Sequence, residues 1–195
     1  MKILFIDTTT SDIAVAVIKD NEIYNVSQRD AGVKHSQTLC GKVSEVLELS
    51  KIGFDDLDAY ACAVGPGSFT GIRIGISTLK GYCTAKERPY VEINSLEAIA
   101  CSQNCGNMGC SVIDAGNGYY YYDKLNGISK TVVPYDDERV KNCGRAGGAC
   151  DYIDGALKLV REKYNRGEFV CSLAPVYIRR SQAEIALENK VSKNG

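Results

Sequence analysis

The chain has 195 residues, 45% of them apolar and 24% charged, and its 23 basic and 24 acidic side chains leave a net charge of −1. This is the balance of a globular protein and excludes disorder as the main state. The longest unbroken aliphatic run is six residues, 13–18, far short of the ~20 that a membrane span needs. An aspartate at position 7 interrupts the apolar stretch of a secretory signal, so a cytoplasmic protein without a membrane anchor is expected.

In chain order, residues 2–7 (KILFID) read as a strand in which Ile3, Leu4, Phe5 and Ile6 are consecutively apolar, as expected of one buried on both faces. Residues 8–12 are a polar turn, and 13–19 and 22–28 are two further strands joined at Asp20-Asn21. Together these make an antiparallel meander. A helix is expected over about 36–50, where Leu39, Val43, Val46, Leu47 and Ser50 recur at intervals of three and four. A strand at 57–64 stops at Gly65-Pro66-Gly67-Ser68, a second helix covers 71–87, and a short strand at 89–93 leads to a third helix capped by Ser95.

The middle then repeats the beginning. Residues 111–114 end in Ile-Asp as residues 5–7 do, a turn follows at 115–118, then strands at 119–124 and 128–133 about a turn at Asn126-Gly127. Asp7 and Asp114 lie 107 positions apart, a period that suggests a duplicated domain rather than a solenoid. The second copy is shorter, with one clear helix at about 152–164, and the boundary is placed near 104–108. The expected domains are therefore 1–106 and 107–195, with the end of the chain packing back on the first.

Charge is uneven: residues 155–195 hold eight basic and four acidic side chains. Such a basic end either helps hold RNA within a complex or is a solvated surface. Nine cysteines include no C-x-x-C pair. Cys101, Cys105 and Cys110 match neither structural zinc nor iron–sulfur spacing, so nine reduced thiols and no metal site are expected. His35 is the one histidine, which excludes any site that needs two histidines from this chain.

Asp7, Thr8 and Thr9 sit where a strand hands over to a turn. An acid with hydroxyls and turn amides there can hold a metal or a phosphate, and Asp114 with Gly116 and Gly118 offers the same in the second copy. Two such turns facing each other would form an ancestral nucleotide site; the plainer reading is an aspartate capping its turn. The segment GPGSFTGIRIG at 65–75 is neither a Walker loop nor G-x-G-x-x-G. Gly71 and Gly75 stack on one helix face, extended by Thr78, Leu79 and Tyr82. A helix-interior glycine costs about 1 kcal/mol relative to alanine, and three things offset that: a partner helix, an anion at the helix N-terminus, or internal packing on the chain's own sheet. His35, beside Ser36, reads as a cap or partner contact rather than a catalyst. Tyr119–Tyr122 read as a half-buried strand.

Taken together, ILFIDTT, residues 32–39, GPGSFTGIRIG, INSLEAIA at 93–100 and PVYIR at 175–179 resemble the TsaB (YeaZ) family. The resemblance covers residues 1–125 well and returns at 175. It implies an α/β, actin-like (ASKHA) fold of two ribonuclease-H-like halves, here with a reduced second half. It implies a non-catalytic scaffold that pairs with and activates a TsaD-type catalytic homologue in forming threonylcarbamoyladenosine on tRNA, beside the anticodon. A TsaE-type ATPase completes such a machinery; ATP and a metal ion belong to those partners, and no cofactor is expected in this chain. Its tRNA contact would run through the complex, and the isolated chain would be a homodimer or await its partner. The family's partner surface implicates the first two long helices, hence His35, Leu39, Val43, Val46, Gly71, Gly75, Thr78, Leu79 and Tyr82. Gly116 and Tyr119 depart from the basic and acidic residues usual in the second turn, and Gly144–Gly148 stand where a helical region is expected. An autonomous actin-like ATPase or phosphotransferase is the alternative; a peptidase has least support.

Overall fold

A computed structural model describes residues 1–31, 35–85, 87–105, 109–124 and 130–178. The first sheet is built from β1 (Lys2–Asp7), β2 (Ile13–Lys19), β3 (Glu22–Gln28), β4 (Ala59–Gly65) and β5 (Tyr90–Asn94), in the order β3-β2-β1-β4-β5. β1 runs antiparallel to β2 (Phe5 opposite Ala16) and parallel to β4 (Phe5 opposite Ala61), and β4 is parallel to β5. Helices α1 (His35–Ser50) and α2 (Phe69–Ala85) cover one face, packing Leu39, Val43, Val46, Ile72, Ile76 and Leu79 on Leu4, Ile6, Val15 and Val17. Helices α3 (Ser95–Cys101) and α4 (Ile153–Asn165) cover the other, over Ile3, Phe5, Ala14 and Ala16. Burial on both faces is why β1 and β2 are apolar without alternation.

The second sheet, from β6 (Cys110–Gly116), β7 (Tyr119–Lys124), β8 (Thr131–Pro134) and β9 (Gly144–Arg145), has the order β8-β7-β6-β9. It repeats the first: two antiparallel neighbours on one side of the leading strand and a parallel one on the other. The fold is α/β and actin-like, and the repeat is visibly reduced. Residues 29–58 between β3 and β4 carry α1, whereas residues 135–143 between β8 and β9 carry a single 3-10 turn, Glu138–Val140. Where the resemblance suggested a helical region at 144–148, the chain makes the two-residue β9 and a bend before a 3-10 turn at Ala149–Asp151.

α4 belongs to the second copy by sequence, yet it packs beside α3 on the first sheet, with Gly155 so close to Ala98 that a side chain would strike the Ala98 carbonyl. The chain then returns along the first half. Tyr90 and Val170 exchange both backbone hydrogen bonds, and the Val176 N–H donates to the Val64 carbonyl at 2.8 Å. The Tyr177 ring stacks on Phe69, 4.3 Å between centroids. The Arg73 guanidinium lies 4.0 Å over the Phe69 ring and donates to the Tyr177 hydroxyl at 2.9 Å. Phe69 and Arg73 of the glycine-rich segment thus tie the 175–178 segment to α2.

Two expectations are corrected at this level. Nine free thiols were expected, but Cys110 and Cys143 form a disulfide between the starts of β6 and β9, and the other seven are free. The helix at 95 is capped not by Ser95 but by Asn94, whose side-chain oxygen accepts from the Leu96 and Glu97 N–H groups. The expected turn at 126–127, strand residues 128–129, and most of the segment placed at the domain boundary lie outside the described residues, as does Arg179.

Candidate functional site

β1 delivers Asp7 to the end of the first sheet, and the turn after it is folded into the protein. Asp7, Thr8 and Thr9 are each 1% exposed. Asp7 Oδ1 accepts from the Thr9 N–H at 2.8 Å and from the Thr9 hydroxyl at 2.7 Å. Thr9 Oγ1 also lies 3.0 Å from the Tyr152 hydroxyl and 3.3 Å from Ser95 Oγ. Burial pushes the Asp7 carboxyl above the usual carboxylate range, against the two bonds from Thr9. Its second oxygen, Oδ2, is buried without a hydrogen-bond partner. Burial likewise holds the Tyr152 phenol far above its ordinary range, reinforced by the charge of Asp7.

The rest of the turn is occupied from two sides. On the α2 side, Ser68 donates its N–H to the Thr9 carbonyl at 2.6 Å, and the Thr8 hydroxyl donates to the Gly71 carbonyl at 2.7 Å. On the other side, Ala149 donates to Thr10 Oγ1 at 2.9 Å and Cys150 to Asp12 Oδ2 at 3.1 Å. Asp151 anchors this cover, accepting from Gly147 and Gly148 and pairing with Arg29 at 2.8 Å. Those contacts outweigh desolvation and draw the Asp151 carboxyl below its ordinary range. The turn that sequence reading offered to a phosphate is closed by the chain's own residues. The Asp114 carboxylate is exposed and accepts from the Gly116 N–H at 2.7 Å and the Tyr135 hydroxyl at 2.6 Å. Asp114 thus caps its own turn, the plainer of the two readings.

The partner-type residues divide in two. Gly71 and Gly75 face inward. A side chain at Gly71 would strike the Thr8 carbonyl, and one at Gly75 would lie 2.6 Å from Thr8 Oγ1. Internal packing, not a partner or an anion, offsets these glycines. Leu39, Val43, Val46 and Leu79 are at most 1% exposed and form the core against the sheet. His35 is 7% exposed, with Nε2 3.2 Å from the Asp12 carbonyl, so it ties the start of α1 to the closed turn. None of these seven offers a surface. Thr78 and Tyr82 are half-exposed on the outside of α2.

Around Tyr82 the helix pair shows what the sequence reading missed. The Tyr82 ring packs against Phe54 at 4.6 Å between centroids. Burial, then hydrogen bonding to the Cys40 thiol of α1, raises the phenol well above its ordinary range. Beside these two residues stand Gly41 and Gly81, both exposed, both inside helices, with nothing within 4 Å of the place a side chain would occupy. Neither is explained by this chain's packing. The available signal was their position: each falls between the buried residues of its own helix.

The model of the family described as TsaD, tRNA N6-adenosine threonylcarbamoyltransferase, matches residues 21–149. The chain belongs to this family. Its TsaB (YeaZ) character, read from the motifs, is supported by curated relatives. The tRNA threonylcarbamoyladenosine biosynthesis protein TsaB of Escherichia coli K12 is 33% identical over 125 residues, 63% of this chain and 54% of that protein. TsaB of Bacillus subtilis 168 is 28% identical over 138 residues, 69% of this chain and 60% of that one. The chain thus spans little more than half the length of these TsaB relatives. YeaZ from Pseudomonas aeruginosa has the same fold, with a TM-score of 0.74 at 23% identity over 90% of this chain and 99% of that chain. Among the described residues, no helix is long and apolar enough to cross a membrane, and no three His, Cys, Asp or Glu side chains cluster as metal ligands.

Proposed function

We propose that this chain is a non-catalytic subunit of the machinery that forms threonylcarbamoyladenosine on tRNA, and that it pairs with and activates a TsaD-type homologue. The observation that carries this reading is the outer face of α1 and α2. Gly41 and Gly81 leave helix backbone bare beside the Cys40–Tyr82–Phe54 cluster, and close approach of a partner helix supplies what offsets the cost of about 1 kcal/mol per glycine. The closed Asp7 turn supports a role through contact rather than turnover. In this reading ATP and a metal ion are handled by the TsaD-type and TsaE-type partners, and tRNA is held by the complex. The same face joins two copies of this chain when no partner is present, and the complex works in the cytoplasm.

The test is co-purification with the TsaD-type homologue of the same organism, using wild type and Gly81→Leu. Gly81 lies in open space, so the variant folds; overpacking at a helix contact costs about 1–3 kcal/mol, a complex roughly 5- to 150-fold weaker. A folded variant that binds the homologue as tightly as wild type removes this face from the interface.

A further inference from the structure

The second half carries a cross-link that the proposed function does not use. Cys110 opens β6 and Cys143 immediately precedes β9, with Cα atoms 4.8 Å apart. β9 has only two residues and pairs with β6 at two positions, Ser111 with Gly144 and Val112 with Arg145. A ladder that short holds weakly alone. The core beneath the 135–143 connection is equally small: Val112, Tyr122, Val133, Val140 and Cys143 itself. Downstream of β9 lies the cover of the Asp7 turn, attached by Ala149 to Thr10 and by Cys150 to Asp12. The cross-link therefore fixes the near end of a segment whose far end closes that turn.

We propose that Cys110 and Cys143 form a reversible redox staple. Closed, it holds β9 on β6 and with it the near end of the 147–151 cover; open, it frees β9 and loosens the cover, which the bonds of Ala149, Cys150 and Asp151 still tether. Seven other cysteines stay free, with Cys40 and Cys171 exposed, which is unlike a secreted scaffold with paired cysteines. Cys110 is half-buried and Cys143 is 9% exposed, so Cys110 is the less covered of the two and is the sulfur assigned to attack by an incoming thiolate. With glutathione, the first thiolate forms a mixed disulfide at Cys110 and releases the Cys143 thiolate. A second glutathione thiolate then attacks that mixed disulfide, releasing the Cys110 thiolate and oxidised glutathione. Two electrons pass to the protein, two glutathiones are oxidised to one disulfide, and closure is the reverse with oxidised glutathione as acceptor. The staple spans 33 positions, and opening it returns chain entropy to the segment.

The test equilibrates the full chain in glutathione buffers from reducing to oxidising, counts by mass the thiols alkylated after quenching and unfolding, since Cys62, Cys83 and Cys105 are buried in the folded chain, and follows amide hydrogen exchange. Nine labelled thiols are expected at the reducing end and seven at the oxidising end. Amides of 144–152 should exchange on the order of tenfold to a hundredfold faster in the reduced form, with β1 and β4 unchanged. A Cys110→Ser, Cys143→Ser double variant with unaltered circular dichroism should exchange like the reduced form in every buffer. Nine thiols throughout the series, or equal exchange of 144–152 in the two forms of the wild-type chain, overturns the proposal.

Discussion

Two glycines of α2 should respond to the same substitution with opposite sign. Gly75→Ala gains about 1 kcal/mol of helix propensity. Its new methyl, however, arrives 2.6 Å from Thr8 Oγ1, whose hydroxyl donates at 2.7 Å to the Gly71 carbonyl. Either the hydroxyl leaves that buried bond, at about 1–3 kcal/mol for the group left unsatisfied, or α2 lifts off the sheet and incurs an overpacking cost of about 1–3 kcal/mol. With both contributing in part, the net loss is roughly 1–4 kcal/mol. At about 2–4 °C per kcal/mol for a chain of this size, Tm falls by roughly 2–16 °C. Gly81→Ala meets nothing within 4 Å, keeps its propensity gain and should raise Tm by about 2–4 °C. Scanning calorimetry of the isolated chain reads both. If Gly75→Ala stabilises as much as Gly81→Ala does, the docking of α2 on the turn after β1 is wrong.

Asp7→Asn should change the pH dependence of stability. Burial raises the folded Asp7 carboxyl above its unfolded value of 3.8, so the folded state holds a proton that the unfolded state releases. Its contribution is therefore full below the unfolded pKa and is lost as pH rises through the folded one. Relative to Asp7→Asn, the wild type should gain stability as pH falls from 7 toward 4; parallel denaturation curves across that range would refute the assignment. Arg73→Ala removes the stack on Phe69 and the bond to Tyr177, and should speed limited proteolysis within 170–178 while costing about 1 kcal/mol. Unaltered cleavage there would show that Arg73 does not hold this segment.

Strands β1, β2 and β4 were legible because burial on two faces leaves an unbroken apolar run, as in ILFI of β1. The two long helices were legible because Leu39, Val43 and Val46 keep one face. What those patterns report is burial, and burial by the chain's own sheet and burial by a partner look alike in sequence. That is why Gly71 and Gly75 were open to a partner reading, while the exposed Gly41 and Gly81 drew no notice. Tyr152 was unreadable for a different reason: its hydroxyl meets Thr9 across 143 positions, a distance over which no local pattern carries information. The pairing of Cys110 with Cys143 depends in the same way on β9, a strand of two residues with no periodicity to detect.

The position of α4 has a consequence for how the protein is made. The back of the first sheet, with Ile3, Phe5, Ala14 and Ala16, is completed by Ala156, Leu157 and Val160, and its last strand is joined by Val170. On the ribosome, β1 to β5 emerge well before those residues do. Until synthesis passes position 170, the nascent first half presents one finished side and one covered by α3 alone. The two copies are therefore coupled in folding: residues of the second copy close the core that the first strand began.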